Sequence, residues 1–225
     1  MSALYAETLM PRCYFGMFMN CPSLKKAPVI KAVNIDSGDS HCKSMFAGCS
    51  SLETVQDVLF AKETLLYPNI CELMFKGCTN LKKAPALPSM NLHTECYMGM
   101  FKKCTSLTEV PESLPATTLY RSCYADMFSG CTSLQNTPKL PAETLASSCY
   151  NYMFENCSSL TEVWLNAKTS VASGLNSYTF KGCPATGVTA HIRKDRDCTR
   201  IGSYLGQPKW NYVDIVTGES ITDIN

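Results

Sequence analysis

The chain has 225 residues, of which 45% are hydrophobic, 17% charged and 14 cysteine, with 20 basic against 19 acidic side chains for a formal net charge of +1. That length buries a full core without a disulfide framework, and the composition favours folding over disorder. The charge balance offers no field for nucleic acid or an anionic membrane, no run approaches the roughly 18 apolar residues that span a bilayer, and the first 30 residues carry no basic-then-apolar leader.

The first recognisable element is Leu4-Tyr5-Ala6-Glu7-Thr8-Leu9, which matches Leu140-Pro141-Ala142-Glu143-Thr144-Leu145 at an offset of 136. The chain therefore starts within a repeat. Residue 1 is expected to be a cut end with upstream sequence removed, so the missing leader carries no information about location.

Cysteine pairs follow at Cys13/Cys21, Cys42/Cys49, Cys71/Cys78, Cys96/Cys104, Cys123/Cys131 and Cys149/Cys157. Each pair brackets a Met-Phe dipeptide, from Met17-Phe18 to Met153-Phe154, and a degenerate seventh copy reads Tyr178-Thr179-Phe180-Lys181-Gly182-Cys183. The second cysteines are separated by 28, 29, 26, 27, 26 and 26 residues. A fixed period of this size is the signature of a solenoid. We read residues 1–187 as an array of about seven units and 188–225 as a C-terminal capping segment.

Within a unit, Cys-Tyr-x-x-Met-Phe-x-x-Cys places apolar groups at i, i+1, i+4, i+5 and i+8, which reads as the stripe of a two-turn helix. The units at Cys42 and Cys71 are one residue shorter, and their i, i+3, i+4, i+7 spacing lies on the same helical face. Gly48, Gly77, Gly130 and Gly182 stand where a helix would end in a left-handed residue. Next comes a short extended piece: Leu24, Leu52, Leu81, Leu107, Leu134 and Leu160, each followed three residues later by Ala27, Val55, Ala84, Val110, Thr137 or Val163. Proline usually follows (Pro28, Pro85, Pro111, Pro138), with Gln56 and Trp164 in that place in two copies. Proline ends a strand or sits at its edge. No single unit buries its own apolar face, so stacked units must share one core.

At the level of the repeat, Met-Phe-Ser-Gly-Cys-Thr-Ser-Leu and Leu-Pro-Ala-Thr-Thr-Leu resemble the BspA-type leucine-rich repeats of bacterial surface proteins, over roughly residues 4 to 187. The family usually has Ala-Phe where this chain has Met-Phe. The resemblance implies an α/β, right-handed leucine-rich-repeat solenoid of 26–29-residue units, with short strands on one face and short helices on the other. It also implies a binding or adhesion role at the cell surface or outside the cell, without catalysis.

After Cys183 the motif is lost. Val188 to Ile192 reads as a last strand, followed by a short helix, with Trp210 covering the end of the core; Trp210 as an exposed ligand contact is the alternative. Cys198 falls outside the repeat phase.

No chemistry emerges from the cysteines. Zinc sites want roughly two to four residues between paired cysteines, and residues eight apart on a helix are separated by ~12 Å, beyond disulfide reach. Buried thiols acting as small hydrophobes are one reading; disulfides between equivalent cysteines of adjacent units are the other. A cysteine nucleophile needs a histidine base, yet His41 and His93 fall in the variable loop before the motif, where solvation is the default. No catalytic, cofactor or metal residues are assigned. Tyr14, Tyr97, Tyr124 and Tyr150 recur with the period, as half-buried stacking or as an aromatic row for carbohydrate.

The candidate binding residues are the two after each leucine: Lys25 and Lys26, Glu53 and Thr54, Lys82 and Lys83, Thr108 and Glu109, Gln135 and Asn136, Thr161 and Glu162. They are expected to align as a polar stripe across the stack, either as a solvated face or as a surface for a protein or glycan partner, in a monomeric chain with no nucleic-acid partner and no membrane insertion. A structural spacer displaying another domain is the second reading, and a thiol-based redox protein the third.

Overall fold

The computed structural model describes residues 3–32, 34–62, 64–167, 174–194, 206–207 and 209–222. The chain winds into a β-solenoid of about seven turns. No helix occurs among the described residues, so the expected α/β class and the short helices are corrected to an all-β coil.

The reason lies in where the backbone N–H groups point. In segment 40–49, Cys42, Ser44, Phe46 and Gly48 donate to the carbonyls of Ile70, Glu72, Met74 and Lys76 in the next turn, at 2.7–2.9 Å. The alternate residues Lys43, Met45, Ala47 and Cys49 donate three residues back, to Ser40, Cys42, Ser44 and Phe46, at 3.1–3.2 Å. An α-helix would direct every N–H along its own segment. Here half of them join neighbouring turns, and the same alternation recurs in segments 12–20, 69–78 and 95–104.

Such a chain of tight turns needs a positive φ at every fourth residue: Asn69 (56°), Leu73 (56°) and Gly77 (73°) in one unit, Glu95 (57°), Gly99 (59°) and Lys103 (62°) in the next. Gly48, Gly77, Gly130 and Gly182 are left-handed as expected, but none ends a helix, and the first three are each the third of three such positions. Left-handed backbone costs a non-glycine residue about 1–2 kcal/mol. It persists because hydrogen bonds on both sides over-determine the segment.

The shorter units also receive a different explanation. The Cys71 N–H bonds the Cys96 carbonyl as the Tyr97 N–H bonds the Cys123 carbonyl. Cys71, and likewise Cys42, therefore occupies the tyrosine position, while Ile70 and His41 fill the place of the first cysteine. His41 is thus fully buried, not solvated in a loop.

Seven phenylalanines, Phe18, Phe46, Phe75, Phe101, Phe128, Phe154 and Phe180, stack along the core with centroids 5.4–5.6 Å apart and planes within 9°. Trp210 meets Phe180 edge-on at 5.2 Å, is 5% exposed, and donates Nε1–H to the Pro184 carbonyl at 2.8 Å. Its ring is therefore buried against the end of the stack.

The extended pieces are short. β1 (Ala3–Leu4) pairs with β3 (Val29–Ile30), and β2 (Thr8–Leu9) with β4 (Asn34–Ile35), both parallel. β5 (Glu162–Leu165), β6 (Thr189–Ile192) and β7 (Asn211–Asp214) form a parallel sheet in that order. The strand read at Val188 to Ile192 is therefore followed by another. The expected short helix after it and Cys198 lie outside the described residues. No helix among the described residues is long and apolar enough to cross a membrane.

Candidate functional site

The leucine that opens each extended piece turns inward; Leu52, Leu81, Leu107, Leu134 and Leu160 are at most 1% exposed. The next two residues both face outward, so these pieces bend rather than keep the strict alternation of a strand. Eleven of the twelve stripe residues are exposed, and Glu162 is half-buried. Parallel bridges join Lys26 to Thr54, Lys83 to Glu109 and Asn136 to Glu162. The register thus brings the stripe together in pairs of turns. Among the described residues no bridge spans Thr54 to Lys83 or Glu109 to Asn136. The polar contacts of stripe residues lead out of the stripe: Lys83 pairs with Asp57 at 4.0 Å, and Glu162 bonds the His191 ring at 2.8 Å.

Four hollows mark this side among the described residues, the smallest, of about 170 Å³, between Thr54 and Lys83; the other three are larger. One of about 440 Å³ is lined by Glu53, Asn80, Lys82 and Ser106. A second, of about 340 Å³, sits at the open step after Glu109; Glu109, Glu112 and Asn136 line it, with Lys139 and Trp164 at its far wall. The third, of about 320 Å³, lies beyond that wall among Leu140, Pro141, Leu165 and Ile215, and shares Lys139 and Trp164.

Lys139 and Trp164 belong to a row that crosses the turns. Lys139 Nζ lies 2.9 Å from Glu112 Oε1 and 5.6 Å from the Trp164 ring centre. Trp164 stacks on His191 at 3.8 Å with planes 5° apart, and His191 Nε2 bonds Glu162 Oε1 at 2.8 Å. Buried Thr137 accepts the Trp164 N–H at 2.9 Å. Lys139 holds the Glu112 carboxyl below its ordinary pKa through a hydrogen bond and its charge. Sequence reasoning missed this row. The one available signal was Trp164 in a proline position.

The second cysteine of each turn points its Sγ at the phenylalanine carbonyl of the preceding turn: Cys49 to Phe18 at 3.0 Å, Cys104 to Phe75 at 3.1 Å, Cys157 to Phe128 at 3.2 Å and Cys183 to Phe154 at 3.1 Å. All thirteen described cysteines are unpaired. Burial raises the thiol pKa at Cys42, Cys71, Cys96, Cys131 and Cys157, and pushes Cys104, Cys123 and Cys183 to about 12. Nucleophilic cysteine chemistry wants the opposite shift. Among the described residues no three His, Cys, Asp or Glu side chains cluster as metal ligands do.

The tyrosine row is internal. Tyr97, Tyr124 and Tyr150 are at most 1% exposed and stack at 5.9 and 6.2 Å, so the carbohydrate-contact reading of these rings falls. Tyr14, at 9%, stands apart because Cys42 and Cys71 take the intervening places.

A family model described as "BspA type Leucine rich repeat region" matches residues 15–186, in six copies. No curated protein and no solved structure matches the chain.

Proposed function

Because the chain belongs to the BspA-type leucine-rich repeat family, we propose that it is a non-catalytic binding module of a bacterial surface or secreted protein. It recognises a protein or glycan partner outside the cell by shape and by a distributed polar surface. The observation that carries this reading is the stripe from Lys25 to Glu162. A polar pair is exposed in five successive turns, and Thr161 in the sixth, beside leucines of which five are fully buried. Solenoids use extended faces of this kind for recognition. In this reading the cysteines form structural ladders, with their sulfurs serving packing and weak hydrogen bonds.

The test is capture of partners from host and envelope extracts and from a glycan panel by the immobilised chain. Charge reversal at Lys82→Glu, Lys83→Glu and Glu109→Lys, at positions exposed enough to leave the fold intact, should abolish capture. Undiminished capture by the reversed protein would remove the stripe from the recognition surface. A chain that captures nothing is a spacer.

A further inference from the structure

We propose that the two clefts flanking Lys139 and Trp164 hold an extended peptide of a protein partner, with an arginine in the cleft beside Glu109 and Glu112 and an aliphatic side chain in the cleft beside Leu140, Pro141 and Ile215. This inference rests on the binding-module reading and names the partner chemistry at one place on that surface.

The two clefts share a wall but differ in character. The first, of about 340 Å³, carries two carboxylates against the single ammonium of Lys139. The second, of about 320 Å³, is walled by Leu140, Pro141, Leu165 and Ile215. Each reaches the lower end of the sizes seen for ligand pockets. A ligand spanning both must be cationic at one end and apolar at the other. The larger hollow at Glu53, Asn80, Lys82 and Ser106 has no apolar anchor among its lining residues, and such anchors dominate binding energy.

Lys139 itself shows what the first cleft accepts. Its ammonium lies between a carboxylate at 2.9 Å and an indole face at 5.6 Å. A guanidinium satisfies that pair of neighbours better, because it is planar, less strongly hydrated and stacks on aromatic rings. His191 covers the other face of Trp164 at 3.8 Å and is tied to Glu162, so the indole is held in place and presents only the Lys139 side. A peptide arginine displaces the lysine, whose side chain is 49% exposed, and takes over its place beside the Glu112 carboxylate, which a neutral sugar would leave without a cation.

The test uses the full chain and fluorescein-labelled glycine-rich peptides carrying one arginine and one leucine, one to four residues apart, read by anisotropy. Controls replace arginine by glutamate or leucine by serine. At least one spacing should bind, and both controls should weaken it. Glu109→Gln and Glu112→Gln should each lower affinity about tenfold, the scale of one charge-assisted hydrogen bond. Lys139→Ala should raise affinity for the arginine peptide, because it vacates the site, and should leave the glutamate control unbound. A non-specific apolar surface gives none of this sign pattern. Absence of binding by both the wild-type and Lys139→Ala proteins overturns the proposal, as does weaker binding after Lys139→Ala. Partner capture that depends on Lys82 and Lys83 but not on Glu112 would overturn it while leaving the binding-module reading standing.

Discussion

The Sγ of Cys104 lies 3.1 Å from the carbonyl oxygen of Phe75 in the preceding turn. The same oxygen accepts the Cys78 N–H at 3.1 Å, so one carbonyl closes its own turn and holds the next. A thiol suits this place because it is small, apolar enough for full burial, and still a weak donor. Cys104→Ala should destabilise the chain by about 1–2 kcal/mol, through a lost donor and a small void. Cys104→Ser keeps the donor and should lie between the two. Urea midpoints of the three proteins check this. An alanine variant as stable as the parent would show that the contact contributes nothing.

The same burial governs reactivity. Ten cysteines, from Cys42 to Cys157, are buried, Cys21 and Cys183 are half-buried, and Cys13 is exposed. Of these thirteen, a maleimide reagent at neutral pH should label Cys13 first, and in a Cys198→Ser background Cys13→Ser should remove that first phase. The buried ten should react only as fast as the array opens, since both access and thiolate are suppressed. Rapid labelling of Cys96 or Cys104, read by peptide mass mapping, would contradict their placement.

His41 predicts a pH dependence. Its ring is fully buried, with Nε2 on the Asp36 carbonyl at 3.0 Å and Nδ1 without a partner. Burial lowers its pKa below the ordinary 6.5, against smaller raising effects from Asp36 and Asp39. The folded state therefore prefers the neutral ring, while the unfolded chain takes a proton below about 6.5. The stabilisation from the neutral ring is complete above that pH and is lost progressively as pH falls toward the folded pKa. Cysteine fills the same place in other turns, so His41→Cys should flatten the stability profile between pH 7 and pH 5. An unchanged acid slope in that variant, measured by thermal unfolding, would assign the acid sensitivity elsewhere.

Much of the architecture was legible in the cysteine and Met-Phe phase, because every copy must present the same groups to its neighbours. The secondary structure was misread for a physical reason. Apolar pairs at i, i+1, i+4, i+5 and i+8 have a strict period of four. A helix repeats every 3.6 residues, and over two turns the two stripes look alike. The left-handed residues held the missing clue. Glycine, asparagine, aspartate or serine recurs at fourfold spacing, as at Ser40, Ser44 and Gly48 or Ser122, Asp126 and Gly130, but Leu73, Glu95 and Lys103 occupy equivalent places and mask it. The stripe residues were visible as a pattern. The Lys139–Trp164 row was not, since it depends on cross-turn register and on the open step after Glu109.

Relief of that backbone strain is testable. Lys103 has φ 62° and an exposed side chain, in the place that Gly77 and Gly130 fill in neighbouring turns. Lys103→Gly removes the left-handed penalty at the expense of extra freedom in the unfolded chain. The net gain should be up to about 1 kcal/mol, seen as a higher melting temperature. Gly130→Ala makes the reverse change at φ 76°, with Lys103 Cγ 3.3 Å from the new Cβ, and should destabilise. If Lys103→Gly loses stability while Gly130→Ala gains it, the fourfold pattern is not under strain.

Trp210 sets the far end of the phenylalanine stack, edge-on to Phe180 at 5.2 Å and bonded to the Pro184 carbonyl at 2.8 Å. Trp210→Ala removes about 3–5 kcal/mol, the usual scale for a buried tryptophan. In a solenoid each turn contacts only its neighbours, so that loss should not spread evenly. Amide exchange should accelerate through β7, β6 and the Phe180 turn, while Phe75 and Phe101 keep their protection. The emission that remains in Trp210→Ala comes from Trp164, which stacks on His191 and so reports on the register of β5 with β6. A uniform loss of protection along the array would mean that the seven turns unfold as one unit, and that Trp210 supports all of them rather than the last.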